Sequence, residues 1–133
     1  MRFNDKKNIT SFEIVTLRTS GMRFVCEYEI VMKDAEAEVS EYGIRFSGSE
    51  DKRVLERRAV ISEQQALKLL NDCRILSWDG FFGSHPRGVK DGIMFSFKAV
   101  VNDGRIIKAD GSQNFPKHYR DFTDGLYEIL RQE

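Results

Sequence analysis

The stretch MRFVCEYEIVMK, residues 22–33, decides how the rest of the chain is read. Met22, Phe24, Cys26, Tyr28, Ile30 and Met32 fall at every second position, with Arg23, Glu27, Glu29 and Lys33 between them. A period of two places alternate side chains on opposite faces of a strand. This strand therefore has a buried face and a wet one, as in an antiparallel sheet covered on one side. Working outward, Ser11 to Arg18 is the expected hairpin partner, joined through Thr19-Ser20-Gly21. A third strand is expected from Ala35 to Ser47. Its apolar phase moves from Ala37 and Val39 to Tyr42, Ile44 and Phe46, which predicts a bulge near Ser40 to Gly43. The polar turn SGSED leads into a fourth strand, Lys52 to Ile61. A turn centred there sets Glu41 near Arg57 and Arg58, read as cross-strand charge pairing on a solvated face.

Ser62-Glu63-Gln64-Gln65 has the capping-box pattern, so a helix should follow to about Cys73 and bury Ala66, Leu69, Leu70 and Cys73. Beyond Trp78 and a long irregular loop, GFFGSHPRGVKDG (80–92), Ile93, Phe95, Phe97, Ala99 and Val101 alternate again. Asn102-Asp103-Gly104 is a hairpin turn and Arg105 to Asp110 the return strand. Tyr119, Phe122, Leu126, Ile129 and Leu130 have helical spacing, placing a final helix from about Pro116 to Arg131. The order β-β-β-β-α-β-β-α predicts one α+β domain over residues 1–133, an antiparallel sheet with two helices packed on one face.

Composition agrees with a folded domain, since 41% hydrophobic residues and ten phenylalanines can build a core in 133 residues. Twenty-one basic and twenty-one acidic side chains cancel, so no global field draws the chain to nucleic acid, and nucleic-acid binding is not expected. No apolar run reaches the length of a membrane span, and a cytoplasmic protein is expected. Cys26 and Cys73 lie on apolar faces of unrelated elements and read as free thiols.

The hairpin reversal at Asn102 to Gly104 brings the 80–92 loop beside GSQNFPKHYR (111–120). The two histidines, His85 and His118, are therefore expected on one rim. Lys117, His118 and Arg120 open the last helix, where partial positive charge from unpaired amides favours anions instead. Either an anion binds there, with Arg87 and Lys90 reaching in from the loop, or Asp79, Asp91 or Asp110 supplies the negative charge internally. Trp78 reads as a core lid or a pocket wall, and Phe81 and Phe82 cannot both point inward from an extended segment. The expected ligand-binding surface is thus Trp78, Phe82, His85, Arg87, Lys90, Lys117, His118 and Arg120.

The ligand spacings of metal sites are missing, the glycines are too scattered for a phosphate fingerprint, and neither Ser nor Cys sits in a nucleophile elbow; no metal or cofactor is expected. These features favour a non-catalytic binding or interaction module for a small anionic ligand or a protein segment. The alternative is a phosphodiester or ester hydrolase with His85 and His118 as its acid–base pair. A homodimer by edge pairing of Ser11 to Arg18 is a third expectation. The C-terminal half, residues 62–133, resembles a loose group of small uncharacterised bacterial proteins through Trp78-Asp79-Gly80, Asp91-Gly92 and Gly111-Ser112-Gln113-Asn114-Phe115-Pro116. Gln113 and Phe115 stand where that pattern prefers Asn and Tyr. The resemblance implies no activity.

Overall fold

The computed structural model describes residues 8–22, 24–89 and 92–131. Its strands are β1 (Phe12–Ser20), β2 (Val25–Lys33), β3 (Glu36–Ser47), β4 (Glu50–Ser62), β5 (Phe82–Gly83), β6 (Met94–Val101) and β7 (Arg105–Ser112). The helices are α1 (Glu63–Asp72) and α2 (Tyr119–Leu130), with a short 3-10 turn at Ile75–Trp78. The class is α+β, built on one seven-stranded sheet in the order β4-β3-β2-β1-β6-β7-β5. The expectation of an all-antiparallel sheet is corrected at one place: β5 runs parallel to β7, pairing Phe82 with Asp110 and Gly83 with Gly111. Two residues of loop can add this strand because Gly80 donates to the Lys108 carbonyl at 2.9 Å and Asp110 to that of Phe81 at 3.1 Å.

Alternation sets the two faces. Val15, Leu17, Ile30, Val39, Phe97, Ala99 and Ile107 point to one side, each at most 2% exposed, and meet Ala66 and Leu70 of α1 and Phe122, Leu126 and Leu130 of α2. The period-two reading of residues 22–33 holds for Cys26 to Met32. Met22 and Phe24, 76% and 47% exposed, precede the strand, where Gly21 donates to the Phe24 carbonyl. The capping box is complete: Ser62 Oγ accepts from Gln65 N at 3.1 Å, and Gln65 Oε1 from Ser62 N at 3.0 Å.

β1 is central. Its second edge is taken by β6, with Val15 opposite Ala99 and Leu17 opposite Phe97, so Ser11 to Arg18 offers no edge for a dimer. The free edges are β5, only two residues long, and β4, which is charged and bulged, both of which discourage pairing with another chain. The bulge lies where expected along the hairpin but on the other strand. Glu41 faces Arg57 and Tyr42 faces Leu55, leaving Glu56 as the extra residue of β4. The change of apolar phase in β3 has a different cause. Pairing of β2 with β3 is unbroken from Glu36 to Gly43, and Tyr42 and Ile44 simply serve the face without helices. There Arg53 lies 4.0 Å over the Tyr42 ring and reaches Glu27 and Glu29 at 3.2 and 3.6 Å. No described helix is long and apolar enough to cross a membrane.

Candidate functional site

The turn at Asn102-Asp103-Gly104 folds β6 onto β7, and the loop and the 111–118 segment do meet at the far end of that hairpin. All three turn residues have positive φ, which Asn, Asp and Gly tolerate best. At the opposite end Gln113 brackets Ile93, its amide donating to the Ile93 carbonyl at 2.7 Å and its side chain accepting from Ile93 N at 2.8 Å. Asn114 Nδ2 donates to the Ser84 carbonyl at 3.3 Å. Asp79 Oδ1 accepts from Lys108 N at 3.1 Å, so this carboxylate is committed to the backbone.

The expected site residues do not form one surface. Trp78 is fully buried, against Phe97 and Phe122 with ring centroids 4.8 and 5.7 Å away, and its Nε1 donates to the Lys117 carbonyl at 3.0 Å. It is a core residue, because an aromatic ring of that size beside three others is stabilised by burial and its one polar atom is satisfied. Phe82 is 73% exposed while Phe81 packs towards Phe95, as alternation requires. Arg87, Lys117 and Arg120 are exposed; Lys90 and Asp91 lie outside the described residues.

The two histidines are separated. His85 Nδ1 is 2.8 Å from Ser112 Oγ. Ser112 stands opposite Met94, one residue out of phase with the buried Phe95, so this pair belongs to the face without helices. His118 instead begins α2 on the covered face. Pro116 is not in the helix as expected: Tyr119 N closes a turn on the Pro116 carbonyl, and His118 takes φ 69° as the residue before the first helical turn. Its Nδ1 lies 3.0 Å from Asp121 Oδ2, so the described charge partner is Asp121, while Asp79, one of the aspartates expected for that role, is held by the Lys108 amide. A carboxylate in the first turn also suits the helix dipole.

A second feature is one that the sequence reading missed. Between the covered face and α2, at the end of the sheet where β1 turns into β2, lies a cavity of about 540 Å³. Thr19, Phe24 and Tyr28 form its sheet side, Tyr119, Arg120 and Thr123 its helix side, and Ile93, Gln113 and Phe115 its third wall. Phe115 stacks on Tyr119 at 4.6 Å, which holds that wall in place. Behind Tyr28 a polar row crosses three strands, since Tyr28 faces Glu41 and Glu41 faces Arg57. Arg57 Nε donates to Glu41 Oε1 at 2.7 Å, and Cys26 Sγ lies 3.7 Å from Glu41 Oε2. The expected Glu41–Arg57 contact is present, but it lies on the helix face, with the Glu41 side chain only 14% exposed.

Burial raises the proton affinity of the thiol and the two phenols beside this row. The Cys26 thiol is pushed up chiefly by loss of water, against a hydrogen bond from Tyr28 that lowers it and with the nearby Glu41 charge raising it further; the Tyr28 phenol is pushed up by loss of water and then by Cys26 and Glu41; Tyr119 is pushed up by burial as well. Cys73, a free thiol beneath α1 and α2, is pushed up to about 11 by burial and then by Asp121 and Asp72. These groups stay protonated when folded but release protons from about pH 9 when unfolded. Stability is then complete below pH 9 and falls as pH rises towards 11, because the unfolded chain binds fewer protons. Urea midpoints should be level from pH 7 to 9 and decline above; a flat series to pH 11 would contradict the burial of these acids.

The cavity thus offers aromatic walls, two phenolic donors that keep their protons and a guanidinium, while the loop face offers a serine beside a histidine. No group of three or more His, Cys, Asp or Glu positioned to hold a metal occurs among the described residues. Comparison with known proteins returns no matching family model, no matching curated protein and no matching solved structure.

Proposed function

We infer that the protein is a binding module for a small, flat, anionic molecule, held between β1–β2 and the start of α2. The observation that carries this reading is the single half-open space lined by Phe24, Tyr28, Phe115 and Tyr119 with Arg120 among its lining residues. Its volume falls in the range of small-molecule pockets, and such pockets combine apolar walls with a few fixed polar groups. An aromatic body would stack on Phe115 and Tyr119, whose mutual contact already orders them. A carboxylate or sulfonate would pair with Arg120, whose guanidinium presents a planar set of donors. The protonated phenols of Tyr28 and Tyr119 supply donors without charge. Of the residues expected from the sequence, Arg120 lines this space, together with Gln113, Phe115 and Tyr119 of the same arm; Trp78 and His85 are not among its lining residues.

The probe is 8-anilinonaphthalene-1-sulfonate, titrated into the folded protein at neutral pH. Saturation at one equivalent is expected, with the amide signals of Thr19, Tyr28 and Thr123 shifting together in an NMR titration. Arg120→Ala should weaken binding by about ten- to a hundredfold, the range for a hydrogen bond to a charged group, and Thr123→Trp should abolish it by filling the space. Equal affinity in wild type and both variants, each retaining cooperative unfolding, would refute the reading.

A further inference from the structure

We propose that Ser112 and His85 form a nucleophile–base pair that cleaves activated esters on the face of the sheet opposite α2. The geometry has the three parts that nucleophilic catalysis by serine requires: a hydroxyl, a base within hydrogen-bond reach, and a third group that orients the base. Ser112 is the last residue of β7 and is held by its pairing with Met94. His85 Nδ1 lies 2.8 Å from its Oγ, and His85 Nε2 contacts the Val89 carbonyl. A carbonyl can only accept, so Nε2 carries the ring proton and Nδ1 is left with the lone pair that accepts from the Ser112 hydroxyl. The loop is shaped for this contact: Gly88 at φ 85° allows residues 86–89 to turn, and Val89 N closes on the Pro86 carbonyl, bringing the Val89 carbonyl back to Nε2.

Two shallow clefts of about 410 and 320 Å³ share His85, Met94 and Ser112. The first is floored by Phe82 and Met94, 73% and 56% exposed, and suits an apolar acyl chain. The second runs past Ser20 and Met22 and receives the leaving group. In the first step Ser112 Oγ bonds to the ester carbonyl carbon as its proton passes to His85 Nδ1. The carbon–oxygen bond to the leaving group then breaks, and that oxygen takes the proton from His85 and departs as the alcohol. In the second step water gives a proton to His85 and adds to the acyl carbon, and the carboxylic acid leaves as Ser112 recovers its proton. The orienting group is a neutral carbonyl rather than a carboxylate, so no negative charge pairs with the imidazolium formed in each step, and the substrates are aryl esters with good leaving groups, not amides. This proposal does not depend on the cavity beside α2, which lies on the other face.

The test uses the intact wild-type protein with an alkyl fluorophosphonate, followed by digestion and mass spectrometry, and with p-nitrophenyl butyrate as substrate. Label is expected on Ser112. Ser112→Ala should remove labelling and turnover, and His85→Gln should lower both by at least about a hundredfold, the lower range for a general base. Affinity for 8-anilinonaphthalene-1-sulfonate should be unchanged in both. No labelling of wild type, label on another residue, or undiminished turnover in either variant would overturn the proposal. Because the label is mapped on the wild-type chain, that arm stands even where a variant folds poorly.

Discussion

Trp78→Ala should lower the unfolding free energy by about 3–5 kcal/mol, the range for deleting a large buried aromatic ring. The ring is fully buried, lies edge-on to both Phe97 and Phe122, and sits 6.0 Å from Tyr119. Its removal opens a void at the point where β6, the 3-10 turn and α2 converge. The lost hydrogen bond adds to this, because the Lys117 carbonyl would lose the Nε1 donor. Trp78→Phe keeps much of the ring and loses only that bond and some contact, so about 1–2 kcal/mol is expected. A domain of this size has a total stability of about 5–15 kcal/mol, so the alanine variant would be marginal at room temperature. Guanidinium unfolding followed by far-ultraviolet circular dichroism measures both, since the chain has no other tryptophan to report. A loss below 1 kcal/mol for Trp78→Ala would mean the ring is not the keystone of this corner. The same bond also explains why a core residue matters to the cavity: by fixing residue 117 it sets where α2 begins, and therefore where Arg120 points.

Strand signals in this chain are legible wherever one face is dry. Cys26 to Met32, Phe95 to Val101 and Arg105 to Asp110 alternate because helices cover one side of the sheet there. The alternation misleads at Met22 and Phe24, where apolar side chains extend the pattern into a turn. Strand order was less legible. The β1–β6 pairing joins residues 74 to 89 positions apart, from Ser20 and Met94 to Phe12 and Val101, and no local pattern marks such a partner. The polar row behind the cavity was within reach of the sequence. Glu41 shares its phase with Ala37 and Val39, so it had to point at the helices, and a cross-strand Arg57 had to follow it inwards. Reading that pair as a solvated face treated charge as proof of exposure. Partly buried ion pairs that keep their hydrogen bonds break that rule.

The loop shows the opposite balance. Topology placed it correctly beside residues 111–114, but proximity in the chain diagram does not say on which side of a sheet a side chain emerges. His85 emerges beside Ser112 because Ser112 is one residue beyond the buried position at Gly111, and a shift of one residue changes the face. His118 leaves the sheet altogether to start α2. Two histidines at one rim are thus divided by the sheet itself, and each finds its own partners: Val89 and, at the end of β7, Ser112 for one, Asp121 for the other.

Gly111→Val should have the second largest effect on stability, about 2–3 kcal/mol, from overpacking. Gly111 and Gly83 face each other across the parallel β5–β7 pair, and the Asn114 carbonyl sits in the slot they leave. A Cβ at Gly111 would collide with that carbonyl and come within 2.8 Å of the Phe95 ring and 3.4 Å of Gly83 Cα. Two of these three neighbours are backbone and cannot rotate away, and valine adds two methyl groups beyond the Cβ. The least costly response is for β5 to leave the sheet. That breaks the Asp110 to Phe81 hydrogen bond and frees the loop that carries His85. Amide exchange at Asp110 should therefore accelerate by more than the global loss of stability explains, while exchange at β1 and β2 should follow the global change alone. Uniform acceleration across all strands, or a loss under 0.5 kcal/mol, would show that the slot is not what fastens β5. A loop released in this way would also lose the register between His85 and Ser112, because their contact depends on β5 and β7 being held at one spacing.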